Sequence, residues 1–147
     1  MPDNLDSALR SGMYASIAAV AGLVLPLFLI PVVALTGYSE VVEELAKLAV
    51  IYFAILPLPN ARLKFLVAAG FGLLFGLSEN VLYFYSATQA GSLTTLLERC
   101  LITVPLHILT SVTILAAAQI RKRYIWVGCI VAVLLHLGFN WLVPLLS

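Results

Sequence analysis

The chain has 147 residues, 63% of them hydrophobic and 10% charged, with a net charge of +1 and a mean hydropathy of +1.09. A water-soluble domain of this size has too much exterior to hide that much apolar surface, so the composition excludes a soluble globule and points to the membrane. The near-neutral balance offers no basic field for nucleic acid, and Cys100 and Cys129 lack the spacing of a disulfide framework or a thiolate metal site.

Hydropathy predicts helical spans over 13–36, 40–57, 63–87, 96–120 and 124–146, separated by breaks at Thr36–Ser39, Pro57–Asn60, Gln89–Ser92 and Arg121–Arg123. A hydrocarbon core of ~30 Å takes about 20 helical residues, and an open strand would leave its backbone groups unpaired in lipid. The expected fold class is therefore all-α, a polytopic membrane helix bundle of about five transmembrane helices. With no internal repeat and no low-complexity linker, residues 1–147 read as a single integral-membrane domain.

The first span is too long for a signal peptide and follows Asp3 and Asp6 against a single Arg10, so it reads as a retained helix kinked at Pro26 and Pro31. The second carries Glu43, Glu44 and Lys47, with Glu43 and Lys47 spaced for an i, i+4 pair. In the third, Gly72 and Gly76 form a small-xxx-small pair just before Glu79 and Asn80, and Phe75, Glu79 and Tyr83 share one face. Glu79 has no charge near it in sequence; the flanking ones are Lys64 and Glu98. The fourth span holds His107 and Ser111, with Pro105 able to free a carbonyl beside them. The fifth holds His136 and Asn140 on one face, continued by Ala132 and Cys129. Tyr83, Tyr85, Trp126 and Trp141 read as interfacial belt residues.

The basic residues set an expected orientation. Arg10, the Arg62/Lys64 loop and the Arg121–Arg123 loop fall on one side of five spans, and only Arg99 opposes them. The positive-inside rule then makes the N-terminus cytoplasmic and puts the Gly37 turn, the Gly91 turn and Ser147 outside.

An ionisable side chain at mid-bilayer costs at least ~2.5–3.5 kcal/mol, so several on separate helices must meet one another. Depth permits it. Counted inward from the outer boundaries, Glu43 and Glu44 lie about 5 Å deep, Glu79 and His107 about 12 Å, and His136 about 15 Å. These spans run in alternating directions, yet every group falls in the same half of the bilayer. One shared polar cavity is the economical reading, against the bland one of separate dipole-stabilised acids and core histidines.

In order, Glu43-Glu44-x-x-Lys47, Phe75-x-x-x-Glu79-Asn80, His107 and His136-x-x-x-Asn140 resemble the PrsW family of intramembrane proteases, itself grouped with the CAAX prenyl endopeptidases and ABI-type proteins. The resemblance runs from Glu43 to Asn140 and implies an intramembrane endopeptidase of a prokaryotic plasma membrane. Its substrate would be a membrane-anchored protein or peptide, such as an anti-sigma factor or a maturing peptide. The CAAX relatives carry an arginine after the double glutamate and a histidine where Glu79 stands. In their scheme Glu43 or Glu44 activates water, His136 and Asn140 stabilise the oxyanion, and Glu79 acts as proton partner with His107 nearby. Lys47, Asn80 and Phe75 support them.

No cofactor is the favoured expectation. The alternative is Zn²⁺ on Glu79, His107 and His136, joined by Glu43 or Glu44. Ser78 and Ser111 lack a nucleophile setting. Two other function classes compete: a small proton or ion pathway, and a non-catalytic membrane scaffold with a buried Glu/His cluster. Five helices make a thin enclosure, which favours a homo-oligomer, and lipid is the other expected partner.

Overall fold

Helix is the state that the sequence demands, and the computed structural model, which describes residues 2–87 and 93–146, is helical along nearly its whole length. The elements in order are α1 (Pro2–Thr36), α2 (Ser39–Val50) continued by a π-helical turn (Ile51–Ile55), α3 (Ala61–Ala87), α4 (Leu93–Ile120), a 3₁₀ turn (Lys122–Tyr124) and α5 (Ile125–Leu146). No strand occurs among the described residues. The expected break at Gln89–Ser92, with its Gly91 turn, and the terminal Ser147 lie outside them.

Four helices are long and apolar enough to cross a membrane, over Leu5–Thr36, Ala61–Tyr85, Leu97–Ile120 and Lys122–Leu142. The fifth expected span is also helical, and it is the shortest. Its 12 α-helical residues and 5-residue π turn reach only about 25 Å, short of the ~30 Å core. It also carries the acids and the lysine that the other helices enclose. The first helix begins at Pro2 rather than near Met13. Hydropathy marked only the lipid-facing part, and the polar turns before it continue the same helix. Pro26, Pro31 and Pro105 all lie inside helices that run on past them.

Turn chemistry accounts for the ends. Gly37 has φ +74, a left-handed conformation that glycine takes without strain, and its N–H donates to the Val33 carbonyl to close α1. In the π turn the Leu56 N–H reaches back five residues to Ile51 at 2.8 Å. Asn60 Oδ1 caps α3 by accepting from the Leu63 N–H at 2.8 Å.

Packing follows the small residues. In lipid no hydrophobic force drives helices together, so backbone approach and polar contacts must do it. A Cβ on Gly72 would fall 2.5 Å from the His107 carbonyl oxygen, and one on Gly76 would fall 3.0 Å from the His107 ring and from Val104 Cα. The α3–α4 crossing therefore sets where His107 stands. Ser78 Oγ donates to the Leu23 carbonyl at 2.6 Å and ties α3 to α1. Gly72→Ala is expected to destabilise by about 1–3 kcal/mol, because the opposing atoms are backbone and cannot rotate away. Gly70→Ala, with nothing within 4 Å, is the control. Thermal unfolding in detergent checks the pair: equal midpoints would refute the close approach.

The resulting core is layered. Phe71 and Phe75, Ile51 and Ile55, Ile114 and Leu115, and Ile125, Cys129 and Ala132 are all buried and form one cluster. They separate the polar side chains near the α1–α2 turn from the basic loops at the other end.

Candidate functional site

Along α2 and into the π turn, Glu44, Lys47, Leu48 and Ile51 form one buried stripe, the i, i+3, i+4, i+7 face of a helix. That register decides the charge pairing. Lys47 Nζ lies 2.6 Å from Glu44 Oε1, with both side chains fully buried. The i, i+4 partner expected for Lys47, Glu43, sits off the stripe and is only partly buried.

Lys47 is fully satisfied. Its ammonium donates to Glu44 Oε1, to Thr110 Oγ1 at 3.0 Å and to His107 Nδ1 at 2.8 Å, using its three protons on three acceptors. An ammonium cannot accept, so Nδ1 is the bare nitrogen of a neutral His107 and Nε2 carries the proton. Nε2 lies 2.5 Å from Glu79 Oε2, and the Glu79 side chain is 28% exposed. Phe75 flanks this arrangement, its ring 5.2 Å from the His107 ring and 4.9 Å from Lys47 Nζ.

His136 on α5 completes the cluster. Its Nδ1 lies 2.9 Å from Glu44 Oε1, and the two imidazole rings meet edge to face at 5.3 Å. The buried carboxylate of Glu44 can only accept, so in the neutral ring Nδ1 carries the proton and Nε2 is bare. A carboxylate behind a histidine in this way fixes both the tautomer and the ring orientation. Glu43, His107 and His136 each offer a ligand atom, and those atoms lie within 4.8 Å of one another. Glu43 Oε2 and Glu44 Oε2 are buried without a hydrogen-bond partner.

Side chains from four helices thus converge: Glu43, Glu44 and Lys47 of α2, Phe75 and Glu79 of α3, His107 of α4 and His136 of α5. The remaining sequence candidates stand nearby. Asn80 is buried and donates to the Gly76 carbonyl at 2.8 Å. Asn140 is exposed one turn beyond His136 and donates to Glu40 Oε1 at 2.8 Å, joining α5 to the start of α2. Ser78 is engaged by α1, and Ser111 is fully buried, neither the setting of a hydrolytic nucleophile.

Two participants escaped the sequence reading. Thr110, which also donates to the His107 carbonyl at 3.3 Å, was detectable as the i+3 neighbour of a membrane histidine. Glu40 carried no reading beyond marking the start of its span, and only the packing of α2 on α5 reveals its partner. The Arg99 guanidinium stacks 3.7 Å over the Tyr83 ring, so this tyrosine, expected as a belt residue, holds a cation.

Such a cluster holds groups that could activate water. It combines carboxylates able to take a proton, a histidine nitrogen left bare, and one edge open at Glu79. A family model described as "PrsW family intramembrane metalloprotease" matches residues 11–147. No curated protein and no solved structure matches the chain.

Proposed function

Because this chain belongs to the PrsW family of intramembrane metalloproteases, we propose that its Glu/His cluster hydrolyses a peptide bond of a membrane-anchored protein or peptide. Together with the family, the four apolar helices make it an integral membrane protein. The observation that carries the proposal is the convergence of Glu43, His107 and His136 to within 4.8 Å from three separate helices.

Those residues fit a metal. One carboxylate and two imidazoles are the donor set of a catalytic zinc site with a position left for water, and Glu43 Oε2 is a buried oxygen in want of a partner. Of the ligands expected from sequence (Glu79, His107 and His136, joined by Glu43 or Glu44), Glu43 is the carboxylate that converges with both histidines. Glu43, His107 and His136 would hold the ion; bound there, it supplies Lewis-acid polarisation and eases loss of a proton from water.

The chain's own residues do the rest. Glu44 keeps the His136 ring oriented with Nε2 bare. Glu79 Oε2 is the group positioned against His107 Nε2. Glu79, at the accessible edge, serves as general base toward water and returns the proton to the leaving amine. Lys47 offsets the charge of Glu44 without touching substrate. Any oxyanion role for Asn140 requires it to release Glu40.

A metal-free mechanism has support of its own, since Lys47 and Glu79 already engage both His107 nitrogens. There Glu43 would be the base for water and Glu79 its proton partner, with His136 on the oxyanion. Purified protein, a transmembrane test peptide and elemental analysis separate the two. The expected result is about one zinc per chain, cleavage abolished by a chelator, and recovery on adding Zn²⁺. Cleavage by metal-free protein would assign the base to Glu43. Ion flux without cleavage would replace the enzyme by a pathway, and neither activity would leave a scaffold.

The orientation belongs to the same proposal. Arg10, Arg62, Lys64 and Arg121–Arg123 mark the cytoplasmic side, which puts the cluster in the outer half of the bilayer.

A further inference from the structure

At the end of the bundle away from the Glu/His cluster, Arg62 and Lys64 begin α3, and Arg121, Lys122 and Arg123 link α4 to α5. Between these elements opens a pocket of about 360 Å³. Tyr52, Leu56 and Pro57 form one wall, Gln119 another, and Lys64 and Lys122 contribute their side chains from two different elements. Among the described residues its lining carries two ammonium groups and no carboxylate, and no ion pair engages either lysine. Lys122 Nζ is held 4.5 Å over the Tyr52 ring, which orders the cation without neutralising it. Asp6 and Arg10 start α1 on this side, and neither lines the pocket.

We propose that this pocket binds the phosphate of an anionic phospholipid headgroup. Its depth matches: the flanking spans Ala61–Tyr85 and Leu97–Ile120 begin and end here, at the level of the headgroups. Its lining is amphiphilic in the required sense. Lys64, Lys122 and the Gln119 amide present donors to phosphate oxygens, while Leu56, Pro57 and Ala118 face the glycerol and upper acyl chain. The positive-inside bias explains basic loops in general. It does not require two uncompensated ammonium groups from separate elements to face one concavity, the form taken by headgroup sites between membrane helices.

The test uses the full chain in detergent, with bound lipid counted by native mass spectrometry. Short-chain phosphatidylglycerol is titrated against phosphatidylcholine of equal chain length and against inorganic phosphate. One phosphatidylglycerol per chain is expected to bind saturably, about tenfold or more tighter than either alternative. Lys64→Gln with Lys122→Gln should weaken it about tenfold or more. Arg62→Gln with Arg123→Gln removes the same charge outside the lining and should change it by less than about threefold. Equal losses in the two double variants, or no preference over phosphatidylcholine, would overturn the proposal. Inorganic phosphate binding as tightly would make this a free-anion site and overturn the lipid assignment. Among the described residues none of the four is in an ion pair; the thermal midpoint of each variant is read alongside, and each single lysine variant is expected to give an intermediate loss. Cleavage is not read, so the result stands apart from the protease proposal.

Discussion

Glu43→Gln is expected to lower cleavage of a transmembrane test peptide by between about 10²-fold and 10⁴-fold while leaving the fold intact. The substitution keeps the shape of the side chain and removes its charge. Glu43 is central whichever way water is activated: as one of three convergent ligands or as the base itself. The accompanying readout tells these apart. If Glu43 is a ligand, zinc content should fall with activity; if it is the base of a metal-free site, metal content is zero throughout. Stability should not fall, because Glu43 Oε2 has no hydrogen bond to lose and a buried acid lacking a partner is itself unfavourable. Activity within about tenfold of the parent would remove Glu43 from the chemistry altogether.

The all-α membrane architecture was legible because lipid leaves the backbone few alternatives. The α2 segment shows the limit of that reading. Hydropathy gave it as a span over 40–57, and the helix runs over nearly those residues, but Glu40, Glu43, Glu44 and Lys47 interrupt its apolar run and a π turn forms its last five residues. The meeting of acids and imidazoles was anticipated from cost and depth alone, since isolated charges at those levels would be prohibitive. Pairing was harder. Lys47 can reach either Glu43 or Glu44 along the helix surface, and burial against α4 and α5 chose Glu44. Asn140 shares a face with His136, yet one further turn carries it to the exposed rim, where Glu40 takes it. Periodicity gives the face of a residue; only packing gives its neighbour.

Lys47 carries the largest expected effect on stability. Lys47→Met should cost about 3–5 kcal/mol, because it strips the cation from a fully buried Glu44 and orphans the acceptors at Thr110 and His107. Combining it with Glu44→Gln should recover most of that loss, since no uncompensated charge then remains in the core. Activity should not recover alongside, because His136 Nδ1 would face an amide in place of a carboxylate, and an altered partner behind a catalytic histidine lowers metal affinity or rate about 10–100-fold. The two readouts must therefore separate in the double variant: thermal midpoint near the parent, cleavage still depressed. A Lys47→Met protein as stable as the parent would mean that the Glu44 carboxylate needs no cation. The buried pair would then be incidental to a site that His136 and Glu44 hold together by themselves.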